Sequence, residues 1–352
     1  MMLNSLQILR ALAAWAVVLT HIQQSYYMGK DGNSFWIFFG KYGDFGVDVF
    51  FILSGFVMAL VAKNYNGKGI SFGINRIFRL VPIYWFYTFL LVISILIFPS
   101  GTYLTWWEDF SLIKSVFFVP NSNPNGLGSY PTLYVGWTLV YELFFYLIFS
   151  LILVFKLPKP SVICAFTMLF IALIFRSSSF LGHSSLLLIE FSIGIFLFEY
   201  FKRNRYCNNR LKIATPIIFF VITTAISSYL NTSLFLKMSL AGLVMYSFIL
   251  MENLFNLKYK TFRLLKSLGD YSYSTYLNHI IIIGWFYWLF ENAKTSVSEI
   301  FAIACILFTT AILSKISYNF IEMSTYISRL KLLTINVFKI NKTLISSNID
   351  EK

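Results

Sequence analysis

Apolar residues along this chain fall in blocks long enough to cross a bilayer, which takes about 20 residues of helix. Ten blocks qualify: 5–21, 45–61, 80–98, 133–155, 161–175, 184–201, 211–229, 234–251, 271–290 and 298–320. The fifth and eighth are the weakest of the ten. The expected fold is therefore an all-α integral membrane protein, a bundle of about ten transmembrane helices. The longest connection, 99–132, divides in two. Trp106, Trp107, Phe110, Ile113, Phe117 and Phe118 suggest a helix lying in the interface. The stretch from Asn121 to Pro131 is rich in Asn, Pro and Gly and reads as a loop of turns.

The polar connections between blocks differ in charge. Counted in order, the even ones carry fifteen Lys and Arg, the odd ones six. Positive charge is retained on the cytoplasmic side, so the even connections are expected there, and with ten spans both termini as well. The tail agrees, with Arg329, Lys331, Lys339, Lys342 and Lys352. It alternates basic and apolar residues, as a segment on the inner membrane surface or a frayed end would. The division expected is a transmembrane domain over 1–322 and a basic cytoplasmic tail over 323–352.

Composition changes the picture little. The chain has 352 residues, 58% hydrophobic and 12% charged, where a soluble domain carries about 25% charged residues. Its formal charge of +13 would suit nucleic acid, but the basic residues lie in short loops between apolar blocks, so topology explains them and no nucleic-acid partner is expected. Cys164, Cys207 and Cys305 form no close pair, which argues against a disulfide framework or a zinc site, and no metal is expected. The first block carries Arg10 and His21 and lacks a clear cleavage motif, so it is read as a span rather than a removable signal.

Ionisable residues inside spans are rare and usually face the bundle interior. Arg10 and His21 are eleven residues apart, three turns plus about 20°, hence on one helix face about 16 Å apart along the axis. Each has a plainer reading: His21 as a histidine at the interface, Arg10 snorkelling to the headgroups. Asp48 needs a partner at its depth. Ser54-Gly55 fits close helix packing. Arg76 and Arg79, just before Pro82 at the expected start of the third span, share a face if helical. Two guanidinium forks there suit a phosphate or pyrophosphate, or serve as an ordinary positive anchor. Glu142 either pairs with a cation or is held neutral, and Glu190 raises the same question. His279 follows a run of hydroxyls that could orient its ring or bind neighbouring helices. A base, a carboxylate and an anion clamp serve acyl transfer to a hydroxyl. They serve a proton-coupled transporter or exporter of a small anionic or glycan substrate equally well.

Five blocks bear a resemblance. They are 6–14 (LQILRALAA) with His21 beyond it, 46–56 (GVDVFFILSGF), 76–84 (RIFRLVPIY), 136–146 (GWTLVYELFFY) and 268–279 (LGDYSYSTYLNH). In wording and order they resemble the acyltransferase-3 family of membrane O-acyltransferases, most of all its bacterial exopolysaccharide acetyltransferase branch. The resemblance implies an acyl-CoA donor, acetyl-CoA in the first place. It implies transfer to a sugar hydroxyl of a surface polysaccharide or its lipid-linked precursor, in a bacterial inner membrane. It implies His21 as the base or a transient acyl carrier, with Arg10, Glu142 and His279 in the same catalytic cavity. Arg76, Arg79 and Tyr84 would hold the donor, and Asp48, Ser54, Trp137 and Tyr276 would face the acceptor. With no room for an appended hydrolase-like domain, a stand-alone acyltransferase is expected. Oligomeric state is not set by the sequence.

Overall fold

In the computed structural model, residues 3–26, 34–97, 109–121, 129–176, 179–180, 183–203, 233–255, 257–290 and 296–350 are described. They form α1 (Asn4–Tyr26), α2 (Ser34–Tyr42), α3 (Phe45–Ala62), α4 (Gly69–Ile97), α5 (Asp109–Val116), α6 (Trp137–Val154), α7 (Pro160–Ile174) and α8 (Leu188–Arg203). After these come α9 (Ser233–Leu250), α10 (Lys260–Asp270), α11 (Ser272–Phe290), α12 (Ser296–Ser317) and α13 (Thr325–Asp350). A two-residue ladder, Ser179–Phe180 against His183–Ser184, links α7 to α8.

Among the described residues, five helical segments are long and apolar enough to cross a membrane: Asn4–Ser25, Phe45–Tyr65, Gly69–Ile97, Tyr134–Val154 and Ile300–Phe338. Pro160–Ile174 and Leu234–Leu250 are shorter apolar helices. The expected span 211–229 lies outside the described residues, as do Trp106 and Trp107. Large apolar side chains such as Leu96, Phe170 and Phe308 stand on the outside of the bundle. Such surface is a liability in water and an asset against lipid tails.

The core forms around α3, which packs on α1, α6, α8 and α9. Its contact with α8 is close and reciprocal. A Cβ at Gly55 would strike the Phe191 carbonyl, and one at Gly194 the Ile52 carbonyl. Lipid offers no hydrophobic force between helices, so such backbone proximity supplies the dispersion contact that holds them. Glu252 reaches across to α1, where its carboxylate accepts from Asn4 N at 3.0 Å and Ser5 N at 2.8 Å. It satisfies two of the donors that a helix start leaves unpaired and meets the positive end of the helix dipole.

Two expectations need correction. α4 begins at Gly69, so Pro82 lies inside the helix rather than at its start, and Asn75, Arg76 and Arg79 are helical. The connection after α9, read as a cytoplasmic loop, contains the amphipathic helix α10. Its Gly269 lies hard against the Gln7 carbonyl of α1.

Candidate active site

α1 and α11 bring His21 and His279 together. His279 is fully buried, and its Nδ1 lies 3.1 Å from the Thr275 carbonyl one turn earlier. Its Nε2 lies 3.2 Å from His21 Nδ1, which also lies 3.0 Å from the Val17 carbonyl. Carbonyls only accept, so His279 carries its proton on Nδ1. In the neutral pair its Nε2 is then an acceptor, and His21 Nδ1–H donates to it. That leaves the lone pair of His21 on Nε2, which has no hydrogen-bond partner among the described residues. His21 is half-buried, so this nitrogen is a base with access to a reactant.

A cavity opens in the bundle beside the pair, with about 740 Å³ of atom-free space counting its open mouth. Arg10 and Arg79 line it, with Ser54, Glu142, Tyr146 and Tyr276 among the others. Tyr276 marks the histidine side, its ring centroid 6.0 Å from that of His279. Its hydroxyl donates to the Val135 carbonyl at 3.1 Å and accepts from Thr138 Oγ1 at 3.1 Å. Glu142 accepts from Ser54 Oγ at 3.2 Å, and the Tyr146 hydroxyl donates to the same carboxylate oxygen. Arg10 donates to Gln7 Oε1 at 3.3 Å. Among the described residues no carboxylate oxygen lies within 4.0 Å of Arg10, Arg76 or Arg79. Arg76 sits over the Phe72 ring, 5.5 Å from its centroid, with Nε unpartnered. Arg10 and Arg79 thus line the cavity with no carboxylate in direct ion pairing among the described residues, which suits their guanidinium forks to take an anion.

Arg10, His21, Ser54, Arg79, Glu142, Tyr276 and His279 thus share one region, with Arg76 one turn from Arg79. Three residues singled out in the sequence stand apart. Tyr84 does not line the cavity. It is fully buried, donates to the Ser115 carbonyl at 3.1 Å and packs on Phe118, tying α4 to α5. Asp48 turns to α8, where its carboxyl lies within hydrogen-bonding reach of that of Glu190. Trp137 stacks on His183, ring centroids 4.4 Å apart. The sequence reading passed over Tyr146 and Tyr273, cavity residues that look like ordinary span aromatics. It also passed over Glu322, which accepts from Ser274 Oγ and lies close enough to Arg10 and Arg79 to interact electrostatically. Glu322 sits in the π-helical turn Tyr318–Glu322, just past the block read as the last span.

Fold and site together define a multi-pass membrane protein with a polar interior cavity and a histidine pair at its side. The acyltransferase domain family matches residues 3–318, and the chain belongs to that family. It is 31% identical over 185 residues to the exopolysaccharide production protein ExoZ of Rhizobium meliloti (strain 1021). That alignment covers 50% of this chain and 55% of ExoZ, so the chain spans about half the length of this curated relative. No solved structure matches.

Proposed function

We propose that this protein is a membrane O-acyltransferase. It moves an acyl group, acetyl in the first instance, from acyl-CoA to a sugar hydroxyl of a surface polysaccharide or its lipid-linked precursor. Family membership supports the reaction class, and the name of the ExoZ relative supports an exopolysaccharide acceptor. The observation that carries the chemistry is the hydrogen-bonded histidine pair, which leaves His21 Nε2 as the accessible base.

In this reading the acceptor hydroxyl gives its proton to His21 Nε2 as its oxygen attacks the thioester carbonyl. The tetrahedral intermediate collapses, the C–S bond breaks, and His21 returns the proton to the departing thiolate. His279 holds the His21 ring in the productive tautomer. A transient acyl group on His21 is the two-step version of the same chemistry. Arg79 and Arg76 take CoA phosphates, and Arg10 steadies the donor nearer the reacting carbonyl. Glu142, held by Ser54 and Tyr146, balances that positive charge. Tyr84 supports the site through the α4–α5 corner rather than by touching the donor. The ten-span topology with cytoplasmic termini, in a bacterial inner membrane, puts the Arg76–Arg79 end where CoA is found.

The test is label transfer from radiolabelled acetyl-CoA into the host's surface glycans by protein reconstituted in lipid. Label in a base-labile glycan ester is the expected result. Glycan flux across the bilayer that needs no acyl-CoA would instead support a transporter.

A further inference from the structure

At the histidine side of the bundle a second group of rings continues outward from the reacting pair. The Tyr134 ring meets the edge of His21, centroids 6.2 Å apart. Tyr130 lies on Tyr134 at 4.3 Å, His183 meets Tyr130 at 5.0 Å, and Trp137 stacks on His183 at 4.4 Å. Two separate pieces of chain supply them: residues 130–137, which run into the first turn of α6, and the ladder between α7 and α8. All four rings are half-buried, so each keeps part of its surface open. His183 Nδ1 has no hydrogen-bond partner among the described residues. Burial lowers the pKa of His183, so its ring stays neutral at physiological pH.

We propose that Tyr130, Tyr134, Trp137 and His183 form the subsite that holds the sugar ring carrying the acceptor hydroxyl. This rests on the acyltransferase reading above. A pyranose has C–H faces that pack on aromatic rings and an equatorial rim of hydroxyls that need partners. Each of these rings offers an apolar face and a polar tip, which matches that pattern. The Tyr130 and Tyr134 hydroxyls pair with each other, but hydrocarbon tails would leave His183 Nδ1 unpaired, and an anion would find no cation among the four. The subsite abuts His21 through Tyr134, so a sugar seated there presents a hydroxyl toward the base. Arg10 and Arg79, which suit the donor, line the cavity, and none of the four rings does. Donor and acceptor thus reach the histidine pair from different sides.

The rival explanation is an ordinary interfacial belt of Tyr and Trp, which anchors a helix without binding a ligand. Steady-state transfer separates the two. The full chain in lipid nanodiscs would be given acetyl-CoA and de-O-acetylated oligosaccharides cut from the host's surface polysaccharide. Tyr130→Ala and Trp137→Leu are each expected to raise the acceptor KM about tenfold. The acetyl-CoA KM should stay at the wild-type value, and Trp137→Phe should recover most of the loss. Tyr130 precedes α6, so its truncation tests the subsite even if Trp137→Leu fails to fold. Unchanged acceptor KM in Tyr130→Ala and Trp137→Leu, with or without a lower thermal midpoint, would overturn the subsite and leave the acyltransferase reading standing. Failure of the wild-type protein to label any oligosaccharide while still binding acetyl-CoA would sink the acceptor reading and the subsite with it.

Discussion

His279 is the residue whose role is most exposed to test. It does not need to touch substrate to matter, because its Nε2 fixes which nitrogen of His21 carries the proton. His279→Gln is therefore expected to lower kcat about 100-fold while leaving both KM values within twofold. A rise in acetyl-CoA KM instead would move His279 from positioning the base to binding the donor. Arg79→Ala should do the reverse. It should raise the acetyl-CoA KM about tenfold and flatten its dependence on salt, with kcat little changed. Much at this scale was readable in the sequence, since a charge inside an apolar span must face the interior. That reasoning singled out Arg10, His21, Glu142 and His279, and the family resemblance grouped them. It could not find His183, a lone histidine in a connection, where chain position carries no depth information. Nor could it separate Tyr84 from the donor site, because motif position gives no side-chain direction.

At the scale of the element, the α3–α8 contact brings backbone to backbone at Gly55 and Gly194. Gly194→Ala pushes a methyl into the Ile52 carbonyl, with backbone on both sides and no flexible atom to yield. It should destabilise the protein by about 2 kcal/mol, read as a lower thermal midpoint in lipid nanodiscs. Gly73→Ala is the matched control. A Cβ there meets the Ser150 side chain, which can turn aside. Equal loss in both variants would remove the argument from packing. Apolar blocks in the sequence marked α1, α3 and α6 to within a few residues, because each is nearly continuous in hydropathy. α4 was expected to start eleven residues too late. Its first turns carry Asn75, Arg76 and Arg79 toward the cavity, so a reading by hydropathy ends where the site begins. α10 was taken for a loop for a related reason, since its apolar positions make one stripe rather than a block.

Across the whole molecule, Arg10 and Arg79 line one cavity and the histidine pair lies next to it beyond Tyr276, so the two groups differ in place and in chemistry. Donor binding at the arginine end and acceptor binding beside His21 would let a cytoplasmic acyl group reach a sugar across much of the bilayer. In the proposed topology the arginine end faces the cytoplasm. Single cysteines at Lys68 and Lys260, in a background lacking the native three, should then react with an impermeant maleimide only when cells are opened, and one at Ser184 in intact cells. Labelling of the first two in intact cells would invert the topology. The central claim, that His21 is the base served by a separate donor site, has a direct measurement. Single-turnover acetyl transfer by His21→Gln would be run beside the wild type in the same nanodiscs, with acetyl-CoA Kd determined on each sample. The account predicts a loss of about 1,000-fold in rate with Kd unchanged within twofold. Transfer by the variant within tenfold of wild type would contradict it.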